Sequence, residues 1–168
     1  MINTYKSNQN LQTPPIAGLF PGDDRIEIYG NPTNKDVFFF QNGETKNFTS
    51  LPSEVYQAIK DVYLKDKPAL DFISSIHSEL KEQIKMFTYF IWGGVDTTAD
   101  WENGKLSESE NFLDSDSCPS LLWNSKNITI DRYILTNRDR VMIKLMSQGC
   151  LDAVIAEMIG ISHSYYDQ

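Results

Sequence analysis

The chain has 168 residues, of which 40% are hydrophobic and 23% charged, a composition ordinary for one or two small globular domains. Its net charge of −8 disfavours general affinity for nucleic acid, because Lys and Arg side chains are what neutralise phosphates. Met1–Asn10 is polar and unlike a secretory signal, and no segment approaches the about 18 apolar residues that a membrane span needs. Two cysteines, Cys118 and Cys150, are too few for a disulfide framework. We therefore expect a cytoplasmic protein that does not enter a membrane.

The N-terminal part of the chain predicts an arm followed by a small sheet. Residues 1–24 are polar and rich in Pro and Gly, which is typical of a loosely held arm. Residues 25–29, 37–40 and 45–49 favour strands, and Asn42-Gly43 between the last two tolerates the positive φ angles of a type I′ turn. We expect a three-stranded antiparallel meander.

Two helices are predicted next. The first has Ser53 as its N-cap and an apolar stripe of Val55, Ala58, Ile59, Val62 and Tyr63, and Pro68 either ends it or starts the next helix. The second is expected to run unbroken to Gly93-Gly94, on a stripe of Leu70, Ile73, Ile76, Leu80, Ile84, Phe87 and Ile91. Such a stripe favours core packing, although it also suits pairing with a second copy in a dimer. His77, near this stripe, is expected to be a half-buried structural side chain.

The segment 96–117 is strongly acidic, with seven Asp or Glu residues and Lys105 as its one basic residue. It lacks periodicity and predicts a long surface loop. An EF-hand with Gly104 at its sixth position fails, because Ala99 and Trp101 would occupy ligand positions. Asp114-Ser115-Asp116 is a weaker metal possibility, for which a solvated loop is the favoured alternative. We expect no catalytic residue, no metal and no cofactor.

A second hairpin is predicted after the acidic segment. It would pair residues 121–123 with residues 128–130 through a turn at 124–127. This hairpin would close an α+β domain spanning residues 25–130.

The C-terminal residues predict a helix-turn-helix. Thr136 is placed to cap a helix over Asn137–Gln148, and Gly149 to end it. A second helix, Asp152–Ile159, and a turn at Gly160 precede a third helix capped by Ser162. The predicted inward residues are Val141, Met142, Leu145, Met146, Val154 or Ile155, Ala156, Ile159 and Ile161.

The segment LTNRDRVMIKLMSQGCLDAVIAEMIGIS carries a family pattern. It resembles the C-terminal domain of LuxR-type regulators, whose consensus runs L-T-x-R-E, x-E-V-L-x-L-x-A-x-G and I-A-x-x-L-x-I-S. The identical positions are Leu135, Thr136, Arg138, Leu145, Gly149, Ile155, Ala156, Ile161 and Ser162, and the conservative ones are Asp139, Ile143 and Ile159. The resemblance covers residues 135–168, about a fifth of the chain, and sigma factors share much of this pattern. The family's second Glu is Val141 here, and the sequence ends about two turns into the third helix.

The resemblance implies a small bacterial or phage-borne transcription regulator that binds DNA and has a possible homodimeric state. In this interpretation His163, Ser164, Tyr165 and Gln168 face the major groove from a helix capped by Ser162. Thr136 and Arg138 would lie near the phosphate backbone, or Arg138 would form a structural salt bridge with an acidic neighbour.

The predicted organisation is therefore an arm over residues 1–24, an α+β domain over 25–130 and an incomplete helix-turn-helix over 131–168. Residues 135–168 contain three basic and four acidic side chains, which is not a basic patch. The alternative function is a protein-interaction or scaffold module in which the helix-turn-helix is a packing unit only.

Overall fold

The structure is a computed structural model that describes residues 16–109 and 118–160. They form an α+β fold of small antiparallel sheets and helices, as the sequence predicts. The strands are β1 (Glu27–Gly30), β2 (Val37–Gln41), β3 (Glu44–Asn47), β4 (Trp101–Glu102), β5 (Lys105–Leu106), β6 (Ile128–Ile130) and β7 (Tyr133–Leu135). The helices are α1 (Ser53–Lys65), α2 (Lys67–Ile76), α3 (Leu80–Trp92), α4 (Asn137–Ser147) and α5 (Asp152–Met158). None of the helices in these two ranges is long and apolar enough to cross a bilayer.

The predicted meander is confirmed, with sheet order β1-β2-β3 and Ile28 opposite Phe39. Asn42 and Gly43 have φ angles of 54° and 79°, which is the type I′ geometry that their sequence favours. The third strand ends at Asn47, two residues before the predicted end, because Phe48 turns into a single 3-10 turn and is buried.

Residues of the sheet and the helices α1, α2 and α3 share one core. Alternation along β1 and β2 directs Ile28 and Phe39 to the helices, where both are fully buried. Tyr29 stacks on Phe38 and Phe40. The buried helical side chains include Val55, Ile59, Tyr63, Ile73, Ile84 and Phe87. The first helix begins at Ser53 itself, so Pro52 and not Ser53 occupies the N-cap position.

The predicted long second helix is wrong, since it is two helices separated at residues 77–79. His77 has an extended backbone, with φ −121° and ψ 128°. Its carbonyl accepts a 2.6 Å hydrogen bond from the Gln83 amide, and Gln83 in turn accepts one from the buried Tyr63 hydroxyl. Ile76 and Leu80, which the continuous stripe places in the core, are 53% and 40% exposed beside this break.

The acidic segment is not wholly a surface loop. Trp101 exchanges two 3.1 Å backbone hydrogen bonds with Ile26, which adds the β4–β5 hairpin to the edge of the main sheet. Asn103 and Gly104 turn this hairpin with φ angles of 53° and 76°. Sequence reasoning considered Gly104 only as a calcium-loop residue and missed the Asn-Gly turn. Residues 110–117, including Asp114-Ser115-Asp116, lie outside the described residues.

The second hairpin also differs from the prediction, because β6 pairs with β7 and not with residues 121–123. Two short 3-10 turns, Pro119–Leu122 and Asn124–Lys126, flank Trp123, which is 1% exposed and stacks on Phe87 with ring centroids 5.8 Å apart. The buried Asp66 carboxylate accepts the backbone N–H groups of Asn124 and Ser125 at 3.2 and 2.7 Å. The predicted domain boundary after residue 130 falls inside the β6–β7 hairpin.

Residues 16–24, predicted as part of a loose arm, are held against the sheet. Ala17 is fully buried, and the Gly18 carbonyl accepts a 2.9 Å hydrogen bond from the Gly43 N–H. Gly18 has a φ of 68°, and a Cβ there would lie 2.4 Å from the Phe40 carbonyl oxygen, so a side chain does not fit. Residues 1–15 lie outside the described residues.

Candidate nucleic-acid interface

The predicted interface begins at the start of α4. The Thr136 hydroxyl accepts from the Asp139 N–H at 3.4 Å, while the Asp139 carboxylate accepts the Thr136 N–H at 2.8 Å. This reciprocal pair is a capping box, which satisfies free N–H groups of the first turn. Hydrogen bonds from Thr136 hold the pKa of Asp139 below its ordinary value, and the charge of Arg138 acts in the same direction.

The turn after α4 has the geometry that a left-handed glycine permits. Gly149 has a φ of 75°, and its N–H donates to the Met146 carbonyl at 3.0 Å. The Cys150 N–H donates to the Leu145 carbonyl at 3.1 Å. These two bonds form a Schellman motif, which ends α4 and redirects the chain into α5.

The two helices meet over a small apolar centre. Leu145 on α4 and Ile155 and Ala156 on α5 are 8%, 0% and 2% exposed. The sequence left open whether Val154 or Ile155 is buried, and in the structure it is Ile155. Met146 was expected to point inward and is instead 53% exposed. It lies about 100° around the helix from Leu145, so the narrow face that α5 covers does not reach it.

The two residues predicted to lie near the phosphate backbone of DNA are on one exposed turn. Thr136 and Arg138 are both exposed at the N-terminal end of α4. Within residues 16–109 and 118–160, Arg138 forms no ion pair, so the salt-bridge alternative is not seen there. Ser162, His163, Ser164, Tyr165 and Gln168, the predicted capping and base-reading residues, lie outside the described residues.

The charge of the chain is unevenly distributed. Residues 16–109 carry fifteen acidic and nine basic side chains, whereas residues 131–160, beyond the predicted domain boundary, carry four acidic and four basic ones. The described part of the C-terminal unit is thus close to neutral beside an acidic domain. A DNA phosphate meets less repulsion there than on the first domain.

A buried carboxyl pair in the first domain escaped the sequence analysis. Glu27 and Asp100 are both 0% exposed. Burial raises the pKa of Glu27 to about 7 and that of Asp100 to about 8, and the charge of Glu27 adds to the second shift. The Asp100 carboxylate accepts hydrogen bonds from the Ile28 N–H at 2.7 Å and the Ser107 hydroxyl at 3.0 Å. One Glu27 oxygen accepts the Asp96 N–H at 2.8 Å, and the other has no hydrogen-bond partner among the described residues.

The environment of this pair favours a structural role over catalysis. The neighbouring cleft of about 310 Å³ is lined by Arg25, Trp101, Glu102 and others, and neither Glu27 nor Asp100 reaches its wall. In the described ranges no group of three or more His, Cys, Asp or Glu residues is placed to hold a metal ion. The one sequence signal for the pair was the alternation Ile26-Glu27-Ile28. It places Glu27 on the face of the sheet opposite to Ile26 and Ile28, and that face is also covered in the structure.

Comparison with known proteins returned no relative: no family model, no curated protein and no solved structure matches this chain.

Proposed function

We propose that this protein is a cytoplasmic DNA-binding transcription regulator that contacts DNA through the helix-turn-helix of residues 136–168. The observation that carries the proposal is the capped α4, its Schellman turn at Gly149 and the crossing of α4 and α5 over Ala156. In this proposal α4 and α5 are the first two helices of a helix-turn-helix, and the positions of Thr136 and Gly149 at the two ends of α4 support the LuxR-type register.

Arg138 supplies the sharpest test of backbone contact. Arg138 lies between Thr136 and Asp139, the two residues of the capping box. Its exposed side chain is therefore at the end of α4 that is expected to face phosphate. We expect Arg138→Gln to weaken binding about equally for all sequences and to lower the salt slope by roughly one. Lys105→Gln makes the same charge change on the exposed β5 position of the first domain, and it should leave the slope as it is.

Base recognition is tested separately with the triple variant His163→Ala, Ser164→Ala and Tyr165→Ala. A duplex selected from a random pool should bind the native chain and lose affinity for the variant, with each lost base contact worth roughly 1–3 kcal/mol. Thermal melting should stay the same, because these side chains are predicted to face DNA. A parallel loss of melting temperature would instead assign them to the core, and unchanged affinity would remove them from the interface.

A second candidate function is a protein-interaction module, favoured by the apolar surface of the C-terminal unit. The side chains of Ile130, Tyr133, Ile134, Leu151 and Met158 are all more than half exposed. Exposed apolar patches of this kind mark interaction surfaces. If neither random nor selected duplexes show salt-dependent binding to the full chain, this candidate replaces DNA binding.

A further inference from the structure

We infer that residues 95–107 form a cover over the free edge of β1 and that loss of the protons of Glu27 and Asp100 opens this cover. The cover comprises the β4–β5 hairpin and the segment that precedes it. Glu27 lies on β1 and Asp100 lies in the cover, and both side chains are 0% exposed. Opening of the cover involves the first domain alone and is independent of DNA binding.

Hydrogen bonds to backbone groups attach the cover to β1. This strand pairs with β2 on one side, and its other edge would by itself present unpaired N–H and C=O groups. There the N–H groups of Ile26 and Trp101 each donate to the carbonyl of the other at 3.1 Å. The Ile28 N–H, two residues further along, donates to the Asp100 side chain at 2.7 Å. Asp100 therefore occupies the place that a carbonyl of a neighbouring strand would take, and a titratable group holds the cover on the edge.

The hydrogen bonds around the pair suit carboxyl groups that carry protons. The Ser107 hydroxyl lies 3.0 Å from Asp100 Oδ1 and 3.1 Å from the Glu108 carbonyl oxygen, and its one hydrogen can serve only one of these acceptors at a time. With a proton on Oδ1, this atom can donate to Ser107, and both contacts are satisfied. One Glu27 oxygen accepts the Asp96 N–H at 2.8 Å, and the other has no hydrogen-bond partner among the described residues. An ionised Glu27 would be a buried charge with a single donor, which is costly.

The charged side chains around the pair do not compensate a negative charge on it. Neither carboxyl forms an ion pair with a described residue. Burial is the main cause that raises both pKa values, and the negative charge of Asp96 adds to each shift. β2 and the last two turns of α3, which pack against β1, carry no charged residue. The charged side chains on the other surrounding segments are exposed or, for Arg25, paired with Asp23 at 2.8 Å: Asp24, Arg25, Glu54, Glu102, Lys105 and Glu108.

The cover is the part of the first domain that can relieve this charge with the least loss of structure. β4 and β5 have two residues each, and one pair of backbone hydrogen bonds, with Ile26, joins them to the main sheet. A short ladder of this kind opens at a smaller free energy than the whole domain does. Opening hydrates both carboxyls and frees the N–H groups of Ile26 and Ile28 on a strand edge that can then pair with another strand. The protonation state of the pair thus decides whether the edge of β1 is covered.

Native-state hydrogen exchange of the full chain, followed by NMR at pH 5, 6 and 7 and at low urea concentrations, tests this gate. The quantity compared is the protection factor, which removes the intrinsic effect of pH on exchange. We expect the N–H groups of Ile26, Ile28 and Trp101 to exchange through an opening that is nearly independent of urea, with less protection than the N–H of Ile59 in the core helix α1. Their protection should fall at least about a hundredfold between pH 5 and pH 7, because each proton released on opening contributes about tenfold per pH unit.

Variants without the titratable groups separate the gate from ordinary fraying. Asp100→Asn keeps an acceptor for the Ile28 N–H and a donor for Ser107 but cannot ionise, and Glu27→Gln removes the other charge. Each should reduce the dependence of protection on pH, and the double variant should keep the cover closed at pH 7. Glu102→Gln, at an exposed position of β4, is the matched control and should behave as the native chain does. The inference is overturned if the native edge amides match the core amide in protection and urea dependence, if their protection is the same at pH 5 and pH 7, or if the folded double variant keeps the native pH dependence.

Discussion

The buried carboxyl pair predicts an unusual dependence of stability on pH. Glu27 and Asp100 hold their protons more tightly in the folded chain than in the unfolded one, since burial raises both pKa values, to about 7 and about 8. The folded state therefore binds more protons than the unfolded state between the ordinary carboxyl pKa and these values. The stability contributed by the pair is complete below about pH 4, falls as the pH rises above that value, and is lost once the pH has passed through the folded pKa values of about 7 and about 8.

The size of the effect follows from proton linkage. Each additional proton bound by the folded state changes the free energy of unfolding by about 1.4 kcal/mol per pH unit. One such proton corresponds to a loss of about 2.7 kcal/mol between pH 5 and pH 7, and full participation of both carboxyls would double it. Total stabilities of about 5–15 kcal/mol make either loss readily measurable.

Urea unfolding at pH 5, 6 and 7, followed by tryptophan fluorescence, is the assay. The three tryptophans, Trp92, Trp101 and Trp123, all lie in the core or edge hairpin of the first domain and report on its unfolding. We expect Asp100→Asn to remove about 1.4 kcal/mol per pH unit from the slope. An Asn oxygen can still accept the Ile28 N–H, and its amide can donate to the Ser107 hydroxyl.

Glu102→Gln, at an exposed position of the same hairpin, is the matched control and should keep the native slope. A native stability that is flat or rises from pH 5 to pH 7 would refute the argument. So would an Asp100→Asn slope equal to that of the native chain.

Three further predictions concern packing and metal binding. Ala156→Leu should destabilise the C-terminal unit by about 1–3 kcal/mol, because Ala156 is 2% exposed where two helices cross, and unchanged amide exchange in α4 and α5 would contradict this. Trp123→Ala should lower the urea stability of the first domain by about 3–5 kcal/mol, against less than about 0.5 kcal/mol for the 71% exposed Leu122→Ala, and equal effects would show that Trp123 is not an anchor. Calorimetry should find no calcium binding that depends on Asp100, since its carboxylate is occupied by hydrogen bonds, and a micromolar affinity that Asp100→Asn abolishes would count against the fold described for the hairpin.

Local signals in the sequence were enough for elements whose geometry depends on neighbouring residues. Asn42-Gly43 predicted its type I′ turn because Gly, and to a lesser extent Asn, adopts positive φ with little steric cost. Thr136 predicted the start of α4, and Gly149 its end, for equally local reasons of hydrogen bonding. The same local signal is present at Asn103-Gly104, whose φ angles of 53° and 76° are those of an Asn-Gly turn within an otherwise acidic segment.

Long-range contacts decided the rest. The apolar stripe continues without interruption through residues 76–80, yet the helix breaks there because Gln83 satisfies the His77 carbonyl and the Tyr63 hydroxyl within the core. Trp123 lies outside any strand because its segment makes contacts that are distant in sequence. Its ring stacks on Phe87, and the N–H groups of the next two residues donate to the Asp66 carboxylate.

The sequence by itself determined the α+β class, the Asn42-Gly43 turn and both ends of α4, since each depends on backbone preferences and spacing over a few residues. Only the tertiary structure decided that Glu27 and Asp100 lie together without solvent and that Tyr133 and Ile134 remain exposed. Burial is a property of everything that packs around a side chain, and Ile28 and Asp100, 72 positions apart, meet only when the chain has folded.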